Sequence, residues 1–175
     1  VQYRIDETGV TMINDIDPPK RKRGGGSIAQ ACWAASRGWA VLEIQRGSKI
    51  PARKWKDLVY RDPAGLMEAE GPNSWDNSCD VGIMTGPSGL VDIESDGPHG
   101  RDLLSYWCSD FPTPILEMET DSGSIHWVFS ADGERYKTHS RWHADSCTPS
   151  CGLDVRGWGG YFLLFADDRR ITWNE

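Results

Sequence analysis

The chain has 175 residues, 38% of them hydrophobic and 26% charged, with a formal net charge of −7. That length suffices for one domain with a real core, and the composition is that of a soluble globular protein. The acidic balance argues against a protein that simply coats nucleic acid, and no apolar run nears the roughly 20 residues of a membrane helix. VQYRIDETGV lacks the apolar stretch of a signal peptide, so a cytoplasmic setting is the simplest expectation. Five cysteines, an odd number, argue against a disulfide framework.

Residues 1–26 read as a flexible tail. DPPKRKRGGG combines prolines, like charges and three glycines, although part of 1–16 has the pattern of an edge strand. The folded body, 27–175, is expected to start at Ser27. This serine is the predicted N-cap of a helix over SIAQACWAASRG, with Gly38 as its stop. WAVLEI (39–44) predicts a strand, GSKIPARKW a loop, and RDPAGLMEAE a short helix. VGIMT (81–85) and GLVDIE (89–94) predict two strands joined by a tight turn at Gly86–Gly89. Residues 100–109 read as a helix. TPILEMET (113–120) and SIHWVFS (124–130) predict a hairpin turning at Asp121-Ser122-Gly123. Residues 131–151 form a polar excursion, then LDVRG (153–157) and GYFLLF (160–165) are strands. ITWNE ends the chain with no further element predicted. Mixed helices and sequence-adjacent strands predict an α+β fold with an at least partly antiparallel sheet.

Side chains alternate along a strand. In LVDIE, Val91 and Ile93 share the core face, which puts Asp92 and Glu94 side by side on the open one. Two carboxylates so close repel unless a cation lies between them, and Mg²⁺ or Mn²⁺ supplies one while leaving positions for phosphate and water. The same alternation turns Leu153 and Val155 inward and Asp154 and Arg156 outward. Three acids around two ions is an arrangement used for nucleotidyl transfer. On SIHWVFS, Ile125, Trp127 and Phe129 face the core, which leaves Ser124 and His126 beside the acids as candidate triphosphate contacts. Arg156 adds a fixed charge. Taken singly, a D-x-E on a strand is more often solvated surface. Two basic patches, Lys20–Arg23 and Lys49/Arg53/Lys54/Lys56 with Trp55 among them, suit phosphate contact and base stacking, or simply a solvated surface.

The ordered set AxxxASRGWAVLEI, KIPARKW, VGIMTGPSGLVDIE, TDSGSIHWVF and GLDVRGWGGYFLL resembles the bifunctional primase-polymerase domains of the archaeo-eukaryotic primase superfamily, found in phage and plasmid replication proteins. The resemblance covers roughly residues 28–165. It implies an RRM-like catalytic sheet beside a smaller N-terminal α/β unit. It implies template-directed synthesis of DNA or RNA primers in mobile-element replication, from nucleoside triphosphates on a single-stranded DNA template. Asp92, Glu94 and Asp154 would be Mg²⁺ or Mn²⁺ ligands; Ser124, His126 and Arg156 would contact the incoming nucleotide; Lys49, in the K-x-P loop, would contact nucleotide or template. D-x-E stands where many relatives have D-x-D. A helicase domain often follows in such proteins. The alternatives are a non-catalytic nucleic-acid or nucleotide-binding module of the same fold, and a metal-dependent phosphohydrolase built on the same acids.

His139, His143, Cys147 and Cys151 are spaced four apart, with Pro149 interrupting any helix through them. Two imidazoles and two thiolates would complete a tetrahedral zinc site. The alternative is a polar loop with unrelated thiols. Some relatives carry a zinc-binding stem in this interval, so the resemblance implies a structural Zn²⁺ at 131–151.

Overall fold

The computed structural model describes residues 2–6, 9–13, 27–55, 65–66, 75–96, 99–142, 153–166 and 169–174. The fold is α+β, as expected, and divides into two compact units, Val1–Gly82 and Ile83–Glu175. No helix among the described residues is long and apolar enough to cross a membrane.

The first unit opens with an antiparallel hairpin of β1 (Gln2–Asp6) and β2 (Gly9–Ile13), inside the segment that reads as a tail. Its helix α1 (Ile28–Ser36) starts where the sequence predicts, but Ser27 does not cap it with its side chain. The Ser27 Oγ instead accepts the Trp75 indole N–H at 3.0 Å, and Asn77 Oδ1 accepts the Ile28 N–H at 2.8 Å. A side chain distant in sequence therefore meets the orphan donor of the first helical turn, which local pattern cannot reveal. Strand β3 (Val41–Ile44) lies beside β4 (Asp80–Met84). All four residues of β3 are buried, so its pattern is continuous rather than alternating. Most of the helix predicted over RDPAGLMEAE lies outside the described residues; Gly65 and Leu66 are helical.

In the second unit the predicted turn after β4 is one helical turn, α2 (Thr85–Ser88). It closes on Gly89 at φ 66°, a left-handed conformation that a residue with a Cβ adopts only at a cost. Among the described residues, the main sheet holds six antiparallel strands in the order β11-β6-β7-β5-β9-β8. They are β5 (Leu90–Ser95), β6 (Leu116–Thr120), β7 (Ile125–Ser130), β8 (His139–Trp142), β9 (Leu153–Arg156) and β11 (Arg169–Trp173). β10 (Tyr161–Phe165) lies outside this sheet. Where the sequence predicts no terminal element, β11 pairs with β6 along its whole length. Helix α3 (Gly100–Trp107) lies against the main sheet, and its Leu104 joins Val91, Ile93, Ile125, Phe129 and Leu153 in one buried cluster. Full burial of such a side chain stabilises by roughly 1.5–3 kcal/mol, so this cluster holds the face of β5, β7 and β9 that alternation assigned to the core.

Candidate metal and nucleotide site

β5 is hydrogen-bonded on both sides, to β7 and to β9, and its register sets the site. His126, Glu94 and Asp154 stand directly opposite one another across β7, β5 and β9, and Val128, Asp92 and Arg156 form the next row. Since Val91 and Ile93 are held in the apolar cluster, Asp92 and Glu94 must project to the second face.

That face is not open. Asp92 is 0%, His126 2% and Glu94 6% exposed. The expectation that Asp92 and Glu94 lie on an open face of the sheet is corrected here: apolar Leu116, Met118 and Val128 share this side and are themselves fully buried. Exposure returns only towards β9, where the side chains of Asp154 and Arg156 are 24% and 28% accessible.

Burial makes the charge pattern consequential. Glu94 and Asp154 are a like-charged cross-strand pair, destabilising by itself. Arg156 Nη2 lies 2.8 Å from both Glu94 Oε1 and Asp154 Oδ2 and bridges them. Burial works against the Arg156 charge, but the Glu94 hydrogen bond and the charges of Glu94, Asp154 and Asp92 outweigh it and raise its pKa further. His126 Nδ1 lies 3.1 Å from Asp92 Oδ2 and 3.5 Å from Glu94 Oε2. The second Asp92 oxygen, Oδ1, is buried with no hydrogen-bond partner. One ligand atom from each of Asp92, Glu94 and His126 lies within 4.8 Å of the others. An unmatched carboxylate oxygen in a converging oxygen and nitrogen donor set fits a hard divalent cation.

Ser124 is also brought to this edge, but its hydroxyl donates to Asp96. Asp96, outside the residues expected from the sequence, continues the same alternation, Asp92, Glu94, Asp96. Contact with a phosphate at Ser124 requires that hydroxyl to leave or share the aspartate.

Lys49 belongs to the first unit, exposed at the tip of the turn between β3 and Pro51. That turn is pinned by Gly47 N–H donating to Asp80 Oδ2 at 2.9 Å and Gln45 N–H to Ile50 O at 2.9 Å. Arg53 of the same basic stretch is committed to Glu43, which is 1% exposed, through both carboxylate oxygens. Burial pushes the Glu43 pKa up, while the Asp76 backbone N–H and Arg53 pull it down. Lys56 and the Lys20–Arg23 patch lie outside the described residues, as do His143, Cys147 and Cys151. His139 is exposed on strand β8, opposite Val155, and not on a helical face.

No curated protein matches the chain significantly. The family described as bifunctional DNA primase/polymerase, N-terminal, matches residues 31–174, which span both units and every residue of the acidic row. The chain belongs to the bifunctional DNA primase/polymerase N-terminal family.

Proposed function

We propose that the chain builds primers on a single-stranded DNA template from nucleoside triphosphates, with Asp92, Glu94 and Asp154 holding Mg²⁺ or Mn²⁺. Family membership supports nucleotidyl transfer of the primase/polymerase kind in general. The observation that carries the finer reading is the buried set of Asp92, Glu94 and His126, with half-buried Asp154 directly opposite Glu94 and one Asp92 oxygen without a partner. A buried carboxylate oxygen without a partner is costly, and a structural role alone does not repay it.

When bound, divalent ions lower the pKa of the attacking 3′-hydroxyl and stabilise the leaving pyrophosphate. The chain's own groups do the rest. Asp92 and Glu94 hold the donor set together from a central strand paired on both sides, which limits their freedom. His126 is oriented by Asp92 through Nδ1 and is assigned to the triphosphate. Arg156 keeps Glu94 and Asp154 together and carries a permanent positive charge toward the phosphates. Ser124 adds a hydroxyl at the same edge, and Lys49 is assigned to nucleotide or template. We also propose that His139, His143, Cys147 and Cys151 hold a structural zinc.

The test is nucleotide incorporation on single-stranded DNA, with and without primer, with each nucleotide set and with Mg²⁺ or Mn²⁺. Wild type should extend and release pyrophosphate, and Asp92→Ala should not extend. Full activity in Asp92→Ala refutes the assigned role. Template binding without incorporation under either metal favours the non-catalytic module, and orthophosphate release favours a hydrolase.

A further inference from the structure

On the second unit, the loop between β7 and β8 carries Arg135-Tyr136-Lys137, all exposed. Tyr136 is 49% exposed and Trp158, just after β9, is 51% exposed. Such exposure of two large aromatics would be unremarkable singly, but here they are fixed to each other. The Trp158 N–H donates to Tyr136 O at 2.6 Å, Lys137 and Trp158 form a β-bridge, and Gly157 N–H donates to Thr138 Oγ1 at 3.2 Å. The approach is so close that a Cβ at Gly157 would lie 2.2 Å from Tyr136 O. Beneath the indole, a Cβ at Gly86 would lie 2.9 Å from the Trp158 ring. The Arg135 guanidinium lies over the same ring, with Cζ 4.3 Å from the centroid. Gly86 thus makes room for a tryptophan that remains half exposed beside an exposed planar cation, and Gly157 lets the chain after β9 approach the Tyr136 backbone.

Beside this stack opens a cavity of about 510 Å³, with Phe111, Tyr136 and Lys137 at its walls and Val91, Phe129 and Val155 among its apolar lining. Phe111 is 43% exposed and braced edge-on against Phe129 at 5.7 Å. The cavity is large enough for a planar heteroaromatic ring.

We infer that this platform of Arg135, Tyr136, Lys137 and Trp158, with the cavity at Phe111, binds single-stranded nucleic acid, which within the proposed function is the template strand. Rigid exposed aromatics, interleaved with cations, stack bases of any sequence and meet the phosphates between them. A duplex keeps its base faces covered, so a single strand is the form that fits. The platform is linked to the catalytic strand along the chain, since Trp158 lies two residues after Arg156, while the cavity opens on the Val91 face of β5, opposite Asp92 and Glu94. Asp132 and Glu134 flank the same loop, and Asp132 Oδ1 accepts from Ser130 Oγ at 2.6 Å. With two acids against two cations the loop has no net charge, so stacking must supply most of the affinity. A shallow salt dependence follows, with a slope near −0.7 for each phosphate met by Arg135 or Lys137.

The test uses the whole chain in chelator, so that the metal site contributes nothing, with 5′-labelled oligo(dT) read by fluorescence anisotropy. The double variant Tyr136→Ala/Lys137→Ala should weaken binding between about fivefold and a hundredfold. Tyr136→Phe, which keeps the ring, should bind like wild type. In the incorporation assay the double variant should raise the template KM more than it lowers kcat, a split that general loosening would not produce. Unchanged oligonucleotide binding in the double variant overturns the inference, as does equal loss in Tyr136→Phe and Tyr136→Ala. So does a site that takes free mononucleotides but no oligonucleotide. A wild type that binds oligo(dT) through Tyr136 but never incorporates sinks the nucleotidyl-transfer reading and leaves the platform standing. Incorporation that ignores all of these variants sinks the platform alone.

Discussion

Replacing Asp92 by asparagine should stabilise the metal-free protein while ending synthesis. The Asp92 side chain has no solvent access, one of its oxygens has no partner, and a Glu94 carboxylate oxygen lies within 4.8 Å of its ligand atom. Two negative charges at that separation repel by about 3 kcal/mol at an effective dielectric near 20. His126 and Arg156 offset part of this, so a net relief of about 1–2 kcal/mol is expected in Asp92→Asn, whose amide can donate to Glu94. For a chain of this size each kcal/mol moves the Tm by roughly 2–4 °C, which gives a rise of about 2–8 °C in chelator. A divalent ion reverses the ranking. At a hundred times its Kd it stabilises the wild type by about 2.7 kcal/mol, and it should do little for the variant. The assay is differential scanning fluorimetry of both proteins in chelator and across a Mn²⁺ series, alongside incorporation. If the variant melts below wild type in chelator and both gain equally from Mn²⁺, then Asp92 is a structural carboxylate and the argument fails.

Three further outcomes are expected. Gly157→Ala places a methyl 2.2 Å from Tyr136 O, a backbone atom that cannot swing aside; it should cost at least about 1–3 kcal/mol by chemical denaturation and weaken oligo(dT) binding with it. Burial pushes the Cys79 and Cys108 thiols up to about 11 from 9.0, with the Asp76 and Glu43 charges adding to the effect at Cys79. The folded chain therefore holds these protons more tightly than the unfolded one. Their contribution to stability is complete below pH 9.0 and is lost as pH rises towards 11; at pH 8 both should resist iodoacetamide until the protein is denatured, and rapid native labelling would contradict this. Finally, purified protein should contain one zinc per chain by elemental analysis, reduced in His139→Ala; stoichiometric absence of zinc ends that proposal.

The parts of the fold that were legible in the sequence are those in which one local rule operates alone. LVDIE and SIHWVFS alternate cleanly, and the structure puts Val91, Ile93, Ile125 and Phe129 in one cluster and Asp92, Glu94 and His126 on the other face. Failures occur where a distant partner decides. β11 is a strand because β6 offers it an edge, and nothing within RRITW announces this. Ser27 sits at the cap position, yet its hydroxyl serves Trp75 while Asn77 closes the helix. The division at Gly82 falls inside β4, whose residues run on as one strand with no linker composition to mark it.

The burial of Asp92 and Glu94 is the most instructive of these differences. Alternation separates the two faces of a strand, but it cannot say that both are covered, because Asp92 and Glu94 look the same in sequence whether water or protein lies above them. An exposed acidic pair is neutral to stability and common. A buried one must be compensated, and here the compensation is partial: Arg156 serves Glu94 and Asp154, His126 serves one oxygen of Asp92, and the other oxygen has no partner. Register carries this arrangement, since a slip of one residue between β5 and β9 would bring Asp154 to the apolar face and Val155 opposite Glu94. A sheet that retains so specific a register around an incompletely matched charge is stable in spite of its site. That is the relation expected when binding a cation, rather than folding, selected the residues.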